Sequence, residues 1–193
     1  MIEQTHDDGF DKSLVNFTFE MSQLRQESRH GWHRILENPE SVAEHIQRAA
    51  ALGYLLAVRE GFEDPNLIVT MILFHDMHEA RCGDKDKLQR LYVTIDEERA
   101  AVDQVKDLGK AGEGILQMWR EVEHGSTQAG VIAKDAEILE MVFTARELVV
   151  HGNLDAQAWI DDTRGRMMTR SGREILEMVN VADPHDWWKS IFR

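Results

Sequence analysis

Two histidines and two aspartates occupy apolar positions of helical sequence: His45, the dipeptide His75-Asp76, and Asp135. Two imidazoles and two carboxylates leave open positions on a six-coordinate ion, which suits Mn²⁺, Co²⁺, Fe²⁺ or Zn²⁺, and also Mg²⁺, rather than Ca²⁺. His-Asp alone is a weak signal, since His6-Asp7 and His185-Asp186 repeat it. Position separates His75-Asp76 from those two: His75 falls three and four residues beyond Ile72 and Met71, on their stripe. Asp135 stands within the stripe Val131, Ile132, Ile138, Leu139 and Val142. A carboxylate there is paired, protonated or bound to metal, because burying it alone is very costly. Lys134 points elsewhere on a helix, so metal ligation and a structural ion pair with another group both stay open. Glu79 lies four residues after His75, on the same face of a continuous helix.

The elements that must position these residues read as helices throughout. Ser41-Val42-Ala43-Glu44 has capping-box spacing and predicts a helix to about Arg59, ending at Gly61, with His45 inward beside Val42 and Ile46. Asp64-Pro65 predicts the next start, as N-cap and first-turn proline. Thr94-Ile95-Asp96-Glu97 reads as a second capping box, opening a helix toward Leu108. Helical patterns continue over 115–122, 131–150, 155–168 and 172–179, and Asp183-Pro184 caps a last short segment. The loops near 83–94 and 124–130 read as the long ones. No stretch sustains period-2 alternation, so the expected fold is an all-α orthogonal helix bundle.

A chain of 193 residues fits one domain, with a core over about 14–170 and a helical tail over 171–193. Its net charge of -13 argues against nucleic acid or an anionic membrane as partner. A small anionic substrate remains open if a cation neutralises it. No apolar run approaches the roughly 20 residues of a membrane span, and residues 1–8 lack the basic and apolar regions of a signal peptide. The single cysteine, Cys82, excludes an internal disulfide and reads as an ordinary thiol in a cytoplasmic chain. His30 and His33 either line a cleft or sit at the surface. Trp187-Trp188 with Phe192 would dock on the core or on a partner subunit, and a homodimer is expected.

The order His45, His75-Asp76, Asp135 resembles the signature of HD-domain metal-dependent phosphohydrolases. Arg29-His30-Gly31-Trp32, then Glu40 to His45, then His75 to Ala80 with Gly83-Asp84, is similar to the small HD proteins related to 5'-deoxynucleotidases. Met118 to Glu123 and Lys134 to Met141 add to the likeness. The resemblance implies that His45, His75, Asp76 and Asp135 hold one divalent metal ion. It also implies that Glu79 and Asp84 serve the attacking water and the leaving 5'-oxygen, Arg29 contacts phosphate, and Trp32 packs against the sugar. Such a cation lowers the pKa of a bound water from far above neutrality toward about 7. Two departures bear on the substrate: His30 and Gly31 separate Arg29 from Trp32, and Lys85-Asp86-Lys87-Leu88 replaces an apolar, proline-containing loop. The expected function is hydrolysis of (deoxy)nucleoside 5'-monophosphates. Another phosphoester, or a module that binds nucleotide without turnover, are the alternatives; an oxygenase would need a second metal, for which His78 is a candidate.

Overall fold

Ser41 begins the helix that carries the first candidate ligand. In the computed structural model, which describes residues 8–192, both arms of its capping box form: Ser41 Oγ accepts from the Glu44 amide and Glu44 accepts from the Ser41 amide. Residues 1–7, including His6-Asp7 and the leader region, lie outside the described residues. Helix α1 spans Asp8–Met21, α2 Val42–Arg59, α3 Pro65–His75, α4 Glu79–Cys82 and α5 Glu97–Val105. Then follow α6 Gly109–His124, α7 Gln128–Val150, α8 Gln157–Thr163, α9 Arg170–Val181 and α10 Asp186–Lys189. Among the described residues no strand forms; a single isolated bridge joins Ser28 and Ser41. The fold is therefore all-α, and no described helix is long and apolar enough to cross a membrane.

Asp64 accepts from the amides of Asn66 and Leu67 and so starts α3 as expected. The second expected capping box is displaced, because the Asp96 carboxylate reaches the Arg99 amide at 3.0 Å and opens α5 two residues after Thr94. The connection after α6 is also shorter than expected. Gly125 closes that helix at φ +53°, and Thr127 caps α7 at once, leaving three residues between them. Helix α8 stops at Thr163, well before Met168.

Helix α7 is the axis of the bundle. It packs against α2, α3, α6, α8 and α9, and it is buried on several sides at Ile132, Ala136, Ile138, Leu139, Val142 and Ala145. With Ala49, Leu56, Ile68, Met71, Ile72 and Leu176 these residues form the main core, each large aliphatic side chain contributing about 1.5–3 kcal/mol. A second cluster, Met77, Ala101, Val105, Leu108 and Trp119, supports the turn after α3. The terminal aromatics do not dock on the core: Trp188 meets His185 and Phe192 edge-on, while Trp187 and Phe192 are exposed.

Where α6 and α7 cross, Gly130 lets two backbones touch. A Cβ at that position would sit 2.1 Å from the Glu121 carbonyl oxygen. Alanine gains about 1 kcal/mol of helix propensity over glycine, but a clash with backbone cannot be relieved by a rotamer change, so overpacking outweighs the gain. Gly130→Ala is expected to lower stability by about 1–3 kcal/mol, read as a fall in Tm by calorimetry.

Candidate active site

Two helices deliver these three candidate ligands to one point. His45 comes from the first turns of α2, His75 from the last residue of α3, and Asp76 from the residue that ends it. One ligand atom from each lies within 4.8 Å of the others, and all three residues are buried. Asp76 Oδ2 stands 3.1 Å from His75 Nε2 and 3.8 Å from His45 Nε2. Both ring nitrogens are buried without a hydrogen-bond partner. Their opposite nitrogens are engaged: His45 Nδ1 donates to Glu140 Oε2 at 2.5 Å, and His75 Nδ1 donates to the Ile72 carbonyl at 2.6 Å. Each Nε2 therefore points into the same space and, once unprotonated, offers a lone pair there, a donor set that fits a divalent cation; without one, Asp76 beside it favours a proton on His75. Burial, then Arg29, pushes His45 down and keeps it neutral. Burial opposes charge on Asp76, but His75, Arg29 and His45 outweigh it and hold the carboxyl well below its usual range.

Asp135 is not in this cluster. Its carboxylate faces the other way and accepts from the Met168 amide at 3.0 Å, the Thr169 amide at 2.7 Å and Thr169 Oγ1 at 2.7 Å. It anchors the start of α9, which approaches so closely that a Cβ on Gly172 would lie 2.6 Å from Asp135 Oδ2. The structure does not bring Asp135, expected as the fourth ligand, into the group of His45, His75 and Asp76, and these contacts satisfy its charge without a metal. The acid of α7 that lines the cavity is Glu137, two residues on, outside the three-residue group itself. It is influenced by His75 and Asp76, and it lines the same cavity as Asp76. Lys134 Nζ lies 2.8 Å from Glu137 Oε2, close but out of hydrogen-bond alignment. Burial opposes Glu137's charge, yet Lys134 and His75 bring it down to about 2, so it is an anion in waiting.

The helix expected to run through His75 and Glu79 is broken. The chain turns over 76–78, held by Gln104 Nε2 donating to the Met77 carbonyl at 2.8 Å, and resumes as α4. Glu79 still reaches the cavity, where burial, then Asp76 and Asp84, push its carboxyl well above the usual range. Asp84 follows Gly83, whose φ of +72° turns the chain, and its Oδ2 accepts from the His30 amide at 2.7 Å. Arg29 lies at the end of a short antiparallel pairing of 27–29 with 40–42. Its guanidinium is 3.4 Å from Asp76 Oδ2, and carboxylates on all sides overcome its burial and keep it charged.

The cavity above these groups has a volume of about 620 Å³, within the range of small-molecule sites. Eight Asp or Glu and seven Lys or Arg side chains line it, so it is nearly neutral although the chain is strongly acidic. Most cations at its rim are paired: Arg34 with Asp86, Lys87 and Arg166 with Asp162, Arg90 with Glu97. His30 and His33 sit edge to face outside the lining, and Trp32 is 3% exposed beneath it. His78 accepts from Trp119 Nε1 at 3.2 Å and stands apart from the three-residue cluster. Cys82 is pushed up to about 11 by burial, Glu79 and Glu97, which suits an ordinary thiol.

The family model described as an HD domain matches residues 21–179. The chain belongs to the HD-domain family. Among relatives, a 5'-deoxynucleotidase HDDC2 from Dictyostelium discoideum is 31% identical over 159 residues, covering 74% of this chain and 84% of that protein. Its Homo sapiens counterpart is 27% identical over 179 residues, covering 88% and 84%. A solved structure of a conserved hypothetical protein from Pyrococcus furiosus superposes with a TM-score of 0.71 at 25% identity, covering 87% of this chain and 99% of that one. The chain is thus a hydrolase-family HD protein related to 5'-deoxynucleotidases.

Sequence reasoning missed Glu137 and the brace behind His45. Glu140 binds His45 and is itself held by Arg48 Nε at 2.7 Å, and Arg48 also meets Glu147 and Thr144. Glu140, Thr144 and Glu147 recur at four- and three-residue steps from each other on α7, a helix-face signal visible in the sequence. These contacts occupy the other acidic grouping, Glu40, His45 and Glu140. Glu40 accepts from Trp32 Nε1 at 3.2 Å, and burial, with Glu140 nearby, raises its carboxyl to about 7. A carboxyl raised on folding keeps a proton that the unfolded chain loses, so its stability contribution falls as pH rises from 4.5 toward 7. At pH 8 the cost reaches roughly 3 kcal/mol. Glu40→Gln removes it: thermal melts should show a Tm several degrees above wild type at pH 8 and nearly equal at pH 4.5.

Proposed function

We propose that the chain is a metal-dependent phosphohydrolase of nucleoside 5'-monophosphates, with deoxynucleotides as the preferred class. The observation that carries this reading is the convergence of two buried, unpartnered imidazole nitrogens and Asp76 beneath a near-neutral cavity. The relatives named 5'-deoxynucleotidases support the substrate class. His45, His75, Asp76 and Glu137 would hold one divalent ion, with Glu137 in the place that sequence reading gave to Asp135. When bound, that ion supplies charge that screens the phosphoryl oxygens and acidifies a water.

The chain's own groups do the rest. Arg29 binds a phosphoryl oxygen bidentately, exchanging part of its contact with Asp76 for the substrate. Asp84, oriented by the His30 amide, takes the proton of the attacking water. The P–O5' bond then breaks, and Glu79, whose raised carboxyl holds a proton, delivers it to the leaving oxygen, so that one proton is taken and one given in each turnover. A cavity with one excess acidic group and one dication balances a monophosphate better than a triphosphate, whose further charge finds rim cations already paired.

Phosphate release measured over a panel of nucleoside monophosphates with Co²⁺, Mn²⁺ and Mg²⁺ tests the proposal; silence across the deoxynucleotides would sink it. His75→Ala and Asp76→Ala should lose bound metal and phosphate release together. The two acids of α7 should behave oppositely. Glu137→Gln weakens metal binding more than about ten-fold, whereas Asp135→Asn keeps the metal but loses ~3 kcal/mol from the anchor of α9. Metal analysis of both variants, beside their melting curves, checks the pair.

A further inference from the structure

The cavity has a second end that the reaction does not use. Along α7, Ile138 and Met141 follow Glu137 onto the lining, and α8 adds Ala158 and Trp159. Trp159 lies on Trp32 in a stacked pair, with ring centroids 5.2 Å apart and planes at 26°. The lower indole is locked in place. Trp32 is 3% exposed, and its Nε1 donates to Glu40 at 3.2 Å. The upper indole also rests on bare backbone, since a Cβ at Gly31 would meet Trp159 Nε1 at 3.7 Å. Only Trp159 of the pair keeps more than a sliver of accessible surface, and it keeps it where the cavity is apolar.

Resting on the function proposed above, we infer that Trp159 is the platform on which the nucleobase stacks, and that Trp32 positions it from below. A buried Trp32 has almost no surface left to give a sugar, so the apolar contact expected of it passes to the ring above. A rigid, pre-oriented indole loses little freedom on binding a flat base, and every base has a face to offer it. Lys87 and Arg166 share Asp162 at the neighbouring rim and leave one net positive charge there, which does not distinguish one neutral base from another, so discrimination at this end rests on stacking area. Purines, with the larger ring system, gain most.

The test compares a ligand with a base and the same ligand without one. Deoxyguanosine 5'-monophosphate and 2-deoxyribose 5-phosphate are titrated at 4 °C into Mn²⁺-loaded wild type, Trp159→Phe and Trp159→Leu, with phosphate release followed in parallel. Stacking of a base on an aromatic side chain is worth roughly ten-fold or more in affinity. Trp159→Leu should therefore weaken the nucleotide about ten-fold and the sugar phosphate less than about two-fold, and Trp159→Phe should recover most of the loss. Equal weakening of both ligands would mean that Trp159 only props the site, and an unchanged nucleotide affinity would also overturn the inference. If wild type binds the nucleotide but releases no phosphate, the hydrolase reading falls while the affinity ratio still judges Trp159. If it binds neither ligand, both fall.

Discussion

Two hydrogen bonds at the backs of two imidazoles decide what the centre of this bundle can be. His45 Nδ1 gives its proton to Glu140, and His75 Nδ1 gives its proton to a carbonyl one turn earlier in its own helix. Each bond fixes which nitrogen is left over, and in both rings the Nε2 that remains points toward Asp76. The fold follows from the need to keep those bonds. Glu140 is fully buried, so its charge requires Arg48 and Thr144 around it, and those contacts tie α2 to α7 over two turns. The apolar core on the same helices, Ala49, Ile72, Ile132 and Leu139, excludes the water that would otherwise compete.

The sequence made some of this legible and hid the rest for identifiable reasons. Short-range capping chemistry at Ser41 and Asp64 names its own partners within three residues, so the starts of α2 and α3 could be read directly. Helix α7 could not be read that way. Because it is packed from several sides, apolar residues surround it and no single stripe marks the face toward the metal. Asp135 and Glu137 are two residues, about 200°, apart on the helix, and both look inward in the sequence. Their tertiary partners tell them apart, and Thr169 is 34 residues away from Asp135. The break at 76–78 is hidden for a similar reason, since Gln104 on α5 holds that turn.

Charge is distributed with the same economy. The chain carries a net -13, yet the cavity holds nearly as many cations as anions. A uniformly acidic cleft would repel a phosphate before any cation could help. Arg29 and Lys134 each sit among carboxylates and stay charged despite burial, because those carboxylates outweigh the loss of solvent. They are the fixed positive part of a site whose remaining positive charge arrives with the metal.

The ion pairs at the mouth differ from those at the floor in how much water reaches them. Lys87 and Asp162 are 71% and 49% exposed in their side chains, whereas His45 and Glu140 are wholly enclosed. Exposed pairs are screened by salt and hold with little more than thermal energy; enclosed ones are not. The Lys87–Asp162 tie at the mouth is therefore weakened by salt, while the pair behind His45 is not. Ionic strength thus reaches the ion pair at the mouth of the cavity and leaves the enclosed pair at its floor untouched.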